Sequence, residues 1–314
     1  MRGGRRKGTP IHGWLAIHKE PNITSAKVVE RVLQITKAEK AGHGGTLDPF
    51  SEGLLPIALG DATKTLSLIL EGDKEYQCWV CFGRETDSGD LTGETLSETG
   101  LWPSEEELQA ALPHFLGTIE QVPPAHSAIR INGVRSYRLA HAGELLLLPS
   151  RLVHIHKLTL ESYQEGVAKI VVRCGKGTYM RALARDLGRF LQVGAHLQRL
   201  IRTETLAFQL KEALDLEALR DMMQRGVLQD ILFSVDRVLD DIPALRLTED
   251  TWRKVRNGQE VRMQIDSSFN HGPKGRVRLL TPEGRFAAIA ELGEEVDANG
   301  CRSCHPKKLF LTGV

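Results

Sequence analysis

The chain lacks a charge bias: 41 lysines and arginines stand against 40 aspartates and glutamates, for a formal net charge of +1 over 314 residues. No global basic excess announces nucleic acid, so only local clusters can carry such a signal. Cysteine is scarce, and the five (Cys78, Cys81, Cys174, Cys301 and Cys304) are an odd number in a sizeable chain. That argues against a disulfide framework. No apolar run approaches the roughly 18 residues of a membrane span. Nor does a hydrophobic region follow the basic head as it would in a signal peptide. A soluble, cytoplasmic protein with no membrane partner is the expectation.

Metal and haem chemistry find little support. "CRSCH" (301–305) matches a haem-attachment pattern, but that chemistry needs export. "CWVC" (78–81) lies in an apolar, strand-like run where cysteines serve as small hydrophobes. The two pairs together offer four thiolates to zinc, yet they are far apart in sequence. No metal site is expected from this spacing.

What is present is ordinary globular material, 41% apolar and 26% charged. The head "MRGGRRKG" carries Arg2, Arg5, Arg6 and Lys7 without an acid, and residues 1–10 read as a flexible cationic arm. "TSAKVVERVLQIT" (24–36) spaces its valines for a helix, with Thr24 or Ser25 as cap. "LLPIALGDATKTLSLILEG" reads as short helical pieces. "KEYQCWVCFG" (74–83), 151–160 and 167–174 read as strands, and Ser104 with Glu107 forms a capping box opening a helix. "GKGTYM" leads into a helix through 181–191, "HLQRLIRTETLAF" resumes a strand, and "LEALRDMMQRG" is helical. Pro243 marks a boundary. Beyond it lie a short helix stopped at Asn257-Gly258 and a hairpin around Pro282-Glu283-Gly284. Mixed α/β (α+β) architecture with common hairpins follows, with a first unit over 11–243 and a small β-rich unit over 244–314.

The stretch "AGHGGTLDPFSEG" (41–53) crowds glycines and His43 up to Asp48, with Pro49 behind it. A phosphate loop would want a Lys-Ser/Thr ending, and an aspartate would repel phosphate. A metal site would want a third ligand. A turn serving structure alone is a real alternative. The remaining reading is an activated carboxylate, acting as nucleophile or stabilising a cationic sugar, with glycines permitting close approach of a bulky substrate. Such an acid needs a cationic partner where water is excluded. "KGTYMR" (176–181) offers Lys176, Tyr179 and Arg181 at a strand-to-helix junction, and Tyr76 could stack on a base.

Together and in order, these segments resemble the TruB family of tRNA pseudouridine synthases. "AGHGGTLDPFSEGLLPIALGDATK" is similar to the motif around its catalytic aspartate. "GDKEYQ", "VPPAHSAIRINGVRSYRLAHAGE", "RCGKGTYMRALARDLG" and "GAHLQRLIRT" resemble its later motifs. A weaker likeness in "VRNGQEVR", "GRFAAIAEL" and "PKKLF" points to a PUA-like terminal domain. The resemblance implies a pseudouridine synthase fold with a mainly antiparallel sheet. It also implies cofactor-free isomerisation of uridine 55 in the tRNA T loop, with the T arm of tRNA as partner and no obligate protein partner, so a monomer is expected. It makes Asp48 the essential carboxylate and Arg181 its salt-bridge partner. Tyr76 becomes the stacking residue and a candidate proton acceptor at C5. His43, Tyr179, Leu200 and Lys19 fall among the substrate-binding residues. The loop at about 124–150 would grip phosphates through Arg130, Arg135 and Arg138.

The chain departs from the family pattern at five places: Glu20 and Asn22 in the early motif, Glu52 after the catalytic stretch, His126, and Ile201. Two rival functions stay open at this point. One is a nucleoside or glycoside hydrolase pairing Asp48 with Asp87 or Asp90, although "RETDSGDLTG" reads as an exposed polar turn. The other is a non-catalytic tRNA-binding or folding protein.

Overall fold

Nine strands form the central sheet of the computed structural model, which describes residues 8–124, 130–131, 134–135, 149–265, 269 and 275–310. The arm through residue 7, most of the expected gripping loop, His126 and Arg138 lie outside the described residues. Arg130 and Arg135 stand on a paired two-strand ribbon, and their side chains lie outside the description too.

In chain order the first strands are β1 (Gly13–Lys19), β2 (Ala41–His43), β3 (Glu52–Leu59) and β4 (Lys74–Phe82). The short hairpin β5 (Arg84–Thr86) and β6 (Thr95–Glu98) follows, then β7 (Gly117–Gln121) and the ribbon β8 (Arg130–Ile131) and β9 (Val134–Arg135). The sheet is completed by β10 (Arg151–Gln164), β11 (Val167–Cys174), β12 (Ala195–Thr205) and β13 (Phe208–Gln209). Its order is β1-β3-β12-β4-β11-β10-β7, with β2 on β3 and β13 on β12. Every pairing is antiparallel except β12 on β3, so the sheet is mainly antiparallel as expected.

The helices begin where short polar caps satisfy their free amides. Helix α1 (Ser25–Thr36) starts at Thr24, whose hydroxyl accepts from the Lys27 amide, and it buries Val28 and Val32. Helices α2 (Leu66–Glu71) and α3 (Glu105–Ala111) follow, the latter with the expected Ser104–Glu107 capping box. Helix α4 (Met180–Phe190) buries Met180, Leu183, Ala184 and Leu187 against Cys78, Val80, Ile170 and Leu200 of the sheet. Helices α5 (Leu216–Gln224) and α6 (Leu228–Ile231) complete the first unit.

One stretch differs from its reading. "LLPIAL", expected to be helical, is strand β3, and only 60–71 coils into helical turns. All residues from Gly53 to Leu59 are buried, and a short apolar run of that kind carries no period that separates a buried strand from a helix. Pro56 is tolerated because its carbonyl, not its missing amide, is what Gly44 needs: the Gly44 amide donates to it at 2.8 Å.

From Ala244 the chain builds a second sheet, β14 (Ala244–Arg246), β15 (Val261–Gln264), β16 (Arg276–Leu280), β17 (Phe286–Val296) and β18 (Cys301–Leu309), in the order β14-β16-β17-β18-β15. Helix α7 (Glu249–Arg256) ends at Asn257, as read from the sequence. Phe286, Ile289 and Phe310 of this unit share an apolar cluster with Trp14, Leu54 and Phe208 of the first. Two lysines exchange bonds across the junction: Lys64 Nζ donates to the Leu309 carbonyl and Lys308 Nζ to the Lys64 carbonyl, each at 2.7 Å. Cys78 is buried in the first sheet's core and Cys304 in the second's, so the four-thiolate arrangement does not form.

Candidate active site

The segment from Gly44 to Ser51 leaves β2 and enters β3, and neighbouring elements grip it along its length. Ser25 at the start of α1 brackets Leu47, accepting from its amide at 2.9 Å and donating to its carbonyl at 3.0 Å. The Asn22 amide donates to the Pro49 carbonyl at 2.7 Å. Ser51 returns both its amide and its hydroxyl to the Asp48 carbonyl. Asn22 itself sits at φ +63°, a left-handed conformation that asparagine tolerates better than other residues with a Cβ. The departure from glycine at this position therefore keeps the turn.

Lys19, expected to bind substrate, is fully buried in β1. Its ammonium donates to the carbonyls of Glu20 (3.0 Å), Pro49 (3.2 Å) and Ser51 (2.5 Å). It faces the underside of the Asp48 segment, so the structure gives it a positioning place behind the loop and no open surface. Burial lowers its pKa to about 8, against the raising influence of Asp48 and Glu52.

The Asp48 carboxylate, with a third of its side-chain surface exposed, meets Arg181 from α4: Nε donates to Oδ2 at 2.9 Å. Arg181 is 4% exposed, and its Nη1 donates to the Ser88 carbonyl at 2.9 Å and stands 3.6 Å from Asp90 Oδ2. Burial pushes the Asp48 carboxyl above its ordinary value, while the Arg181 charge and hydrogen bond pull it down. Lys176, at the same junction, is exposed.

Asp90 corrects the reading of "RETDSGDLTG" as an exposed turn. It is buried between β5 and β6, and its Oδ1 accepts from the Ser88 hydroxyl (2.9 Å), the Thr92 amide (3.0 Å) and the Thr92 hydroxyl (2.5 Å). A carboxylate this buried, with one oxygen taken up by three donors and the other facing an arginine, is closed to a substrate and unsuited to flank a glycosidic bond as the second acid of a glycosidase. The turn-residue composition hid this, because the arginine that Asp90 faces lies far along the chain.

Tyr76 and Leu200 stand on adjacent strands. In the β4–β12 register Leu200 opposes Cys78 and Arg202 opposes Tyr76, which places all four on one face of the sheet. Leu200 is buried in the main core, against which Tyr76 and Phe50 pack. Phe50, two residues beyond Asp48, was not singled out in the sequence. Burial pushes the Tyr76 phenol up to about 12, and Arg202 opposes that rise.

Arg202 was also missed. It is 1% exposed, with Nε donating to the Leu54 carbonyl at 2.8 Å and Nη2 to the Gly45 carbonyl at 3.1 Å. Its sequence context, an arginine on a strand, carries no mark of burial. His43 is half-buried at the end of β2, and burial, aided by the Arg202 charge, lowers its pKa and favours the neutral ring. Tyr179 precedes α4, where its amide donates to Gln121 Oε1 at 2.9 Å and its ring lies under Arg151.

Residues 33–180 match the TruB family pseudouridylate synthase N-terminal domain, and 181–240 match the tRNA pseudouridylate synthase B C-terminal domain. A protein of Bradyrhizobium diazoefficiens named tRNA pseudouridine synthase B is 40% identical over 99% of this chain and 89% of its own length. One of the same name from Rhizobium meliloti is 37% identical over 98% of this chain and 97% of its own. Among solved structures, one titled as a Cbf5-Nop10-Gar1 complex aligns with a TM-score of 0.74 at 22% identity, covering 96% of this chain and 85% of that one. One titled as an archaeal Nop10-Cbf5 complex aligns at 0.72 and 20%, covering 98% and 92%. The structural likeness shows the fold, a pseudouridine synthase domain followed by a β-rich PUA-like domain. On the strength of the sequence matches, the chain belongs to the TruB family of pseudouridylate synthases, isomerases of RNA uridine.

Proposed function

We propose that this enzyme isomerises uridine 55 in the T loop of tRNA to pseudouridine, with Asp48 as its essential carboxylate. The observation that carries the reading is the Arg181–Asp48 ion pair at 2.9 Å, one partner buried and the other still partly open to solvent. An open carboxylate backed by a fixed cation is what a reaction at a sugar or a pyrimidine ring needs. The names of the relatives support tRNA as the substrate.

The T-loop uridine must leave its stack at a cost of a few kcal/mol. Tyr76 offers a ring face for the extruded base, and Leu200 with Phe50 supplies apolar surface beside it. His43 is assigned to holding the loop, Tyr179 to lining the pocket, and Arg130 and Arg135 to the phosphates. Asp48 then acts at C6 of the uracil or at C1' of the sugar. The N1–C1' bond breaks, the ring turns, C5–C1' forms, and the C5 proton leaves while N1 gains one. Tyr76 is the assigned acceptor of the C5 proton. Exclusion of water retains the detached base and spares the sugar from hydrolysis. On this reading residues 11–243 do the chemistry, 244–314 contact RNA, and the protein works as a cytoplasmic monomer.

The test is incubation of the protein with an unmodified T-arm RNA, followed by carbodiimide labelling and primer extension. A single new stop at the T-loop uridine, lost in Asp48→Asn, is expected. Tight binding with no stop would favour a binding protein, and free uracil would favour a hydrolase.

A further inference from the structure

Strand β12 lies between the strand that receives the Asp48 segment and the strand that carries Tyr76, and Arg202 is the residue where the three meet. Its backbone pairs with Gly53 of β3 on one side and with Tyr76 of β4 on the other. Its guanidinium reaches the Leu54 carbonyl in β3 and the Gly45 carbonyl in the Asp48 segment, and Tyr76 is its cross-strand partner on the same face of the sheet.

The fit is close. Gly45 adopts φ +125°, and a Cβ there would stand 3.2 Å from Arg202 Nη1. At Gly53, with φ +103°, a Cβ would stand 2.5 Å from the Arg202 carbonyl oxygen. Gly45 thus lies against the Arg202 guanidinium, and Gly53 against the strand backbone at position 202. Arg202 is also unusual in its company. Among the described residues it forms no ion pair with a carboxylate, and its guanidinium donates to two backbone carbonyls. A cation buried without a counter-charge is costly unless its donors are satisfied. What arginine supplies at this position is several donors in a rigid fork that span separate chain segments.

We propose that Arg202 is a positioning residue of the isomerisation: tied to the Gly45 and Leu54 carbonyls and packed beside its cross-strand partner Tyr76, it sets the stacking ring relative to the Asp48 segment so that both meet the extruded base at one spacing. The inference rests on the role assigned to Tyr76 above. The electrostatics agree: the Arg202 charge opposes the burial that raises the Tyr76 phenol, and it adds to the lowering of His43, Lys19 and Lys74. It is the cation common to all four groups.

The test compares Arg202→Met and Arg202→Lys with the wild type in single-turnover pseudouridine formation on a tRNA transcript, and in tRNA affinity. It adds a carbon NMR titration of ring-labelled tyrosine. The chain has four tyrosines, so Tyr76→Phe assigns the signal by difference. Arg202→Met is expected to slow the chemical step by about 100-fold, the scale of a misplaced reacting group. Affinity should be unchanged. The Tyr76 signal should move and titrate at higher pH, because the cation favouring the phenolate is gone. Arg202→Lys should recover part of the rate. A wild-type rate in a folded Arg202→Met protein, or a Tyr76 signal that stays put while the rate falls, would overturn the proposal. If Arg202→Met does not fold, Arg202→Lys must show a displaced Tyr76 signal, and an undisplaced one overturns it equally. A wild-type protein inactive on tRNA would strike the assigned function and leave the resonance test standing.

Discussion

Asp90 Oδ2 stands 3.6 Å from Arg181 Nη1, while Asp48 Oδ2 accepts from Nε of the same guanidinium at 2.9 Å. The arginine is thus clamped between an open carboxylate that it serves and a closed one that holds it. Asp90 contributes twice, since its Oδ1 also ties down the turn that offers the Ser88 carbonyl to the same guanidinium.

Asp90→Asn should therefore reduce the rate of pseudouridine formation far more than tRNA affinity. Removing one partner of a buried charge pair costs about 3–5 kcal/mol, and here the loss would appear as a drop in melting temperature together with a slower chemical step. Single-turnover kinetics and filter binding on the same preparation separate the two. An equal loss in rate and affinity would show that Asp90 shapes the RNA surface instead.

Burial holds the Asp48 carboxyl above its ordinary 3.8, and Arg181 is the largest influence pulling it back. On the role proposed for Asp48 the reactive form is the carboxylate, so the rate should fall as pH drops through this raised value. Arg181→Met removes the opposing charge, and the acid limb should move to higher pH. Asp90→Asn removes a neighbouring negative charge and should move it the other way. pH profiles of kcat/KM for the three proteins check both signs.

Asn22 marks a substitution that the fold absorbs. At φ +63° it should be replaceable by glycine with little effect, while Asn22→Ala should cost about 1 kcal/mol for a Cβ in the left-handed region. Urea unfolding of the pair measures the difference, and an Asn22→Ala protein as stable as the glycine variant would show that the backbone can relax there.

Glu52 adds a negative charge near the catalytic segment, but Arg199 Nε donates to it at 2.5 Å, and that arginine is over half exposed. Partly exposed pairs contribute about 0–1 kcal/mol, so Glu52→Ala should change stability by no more than this. It should also leave the acid limb of the rate in place. A displaced limb would mean that the Glu52 charge reaches Asp48.

Much of this architecture was legible in the sequence because its signals are local. The cap at Thr24, the box at Ser104 and Glu107, the apolar strand-like run in 74–83 and the stop at Asn257 each involve residues within a few positions. Strand β3 was misread because complete burial erases periodicity. The site divided the same way. Asp48 and Arg181 could be placed by their motifs, whereas the burial of Asp90, Lys19 and Arg202 follows from strand pairings and loop crossings between distant segments. A polar residue's surroundings are set by what folds against it, and its neighbours in sequence say little about that. Two departures, Asn22 and Glu52, found their compensation only in three dimensions.

The grip on the Asp48 segment has a consequence for how the motif should be used. Its shape is written in Lys19, Asn22, Ser25, Pro56 and Arg202, all outside "GGTLDP". Transplanting that hexapeptide into a foreign scaffold would carry over the aspartate but not its bearing. A search for related active sites should then weigh a lysine and a serine upstream and an arginine far downstream as heavily as the hexapeptide itself.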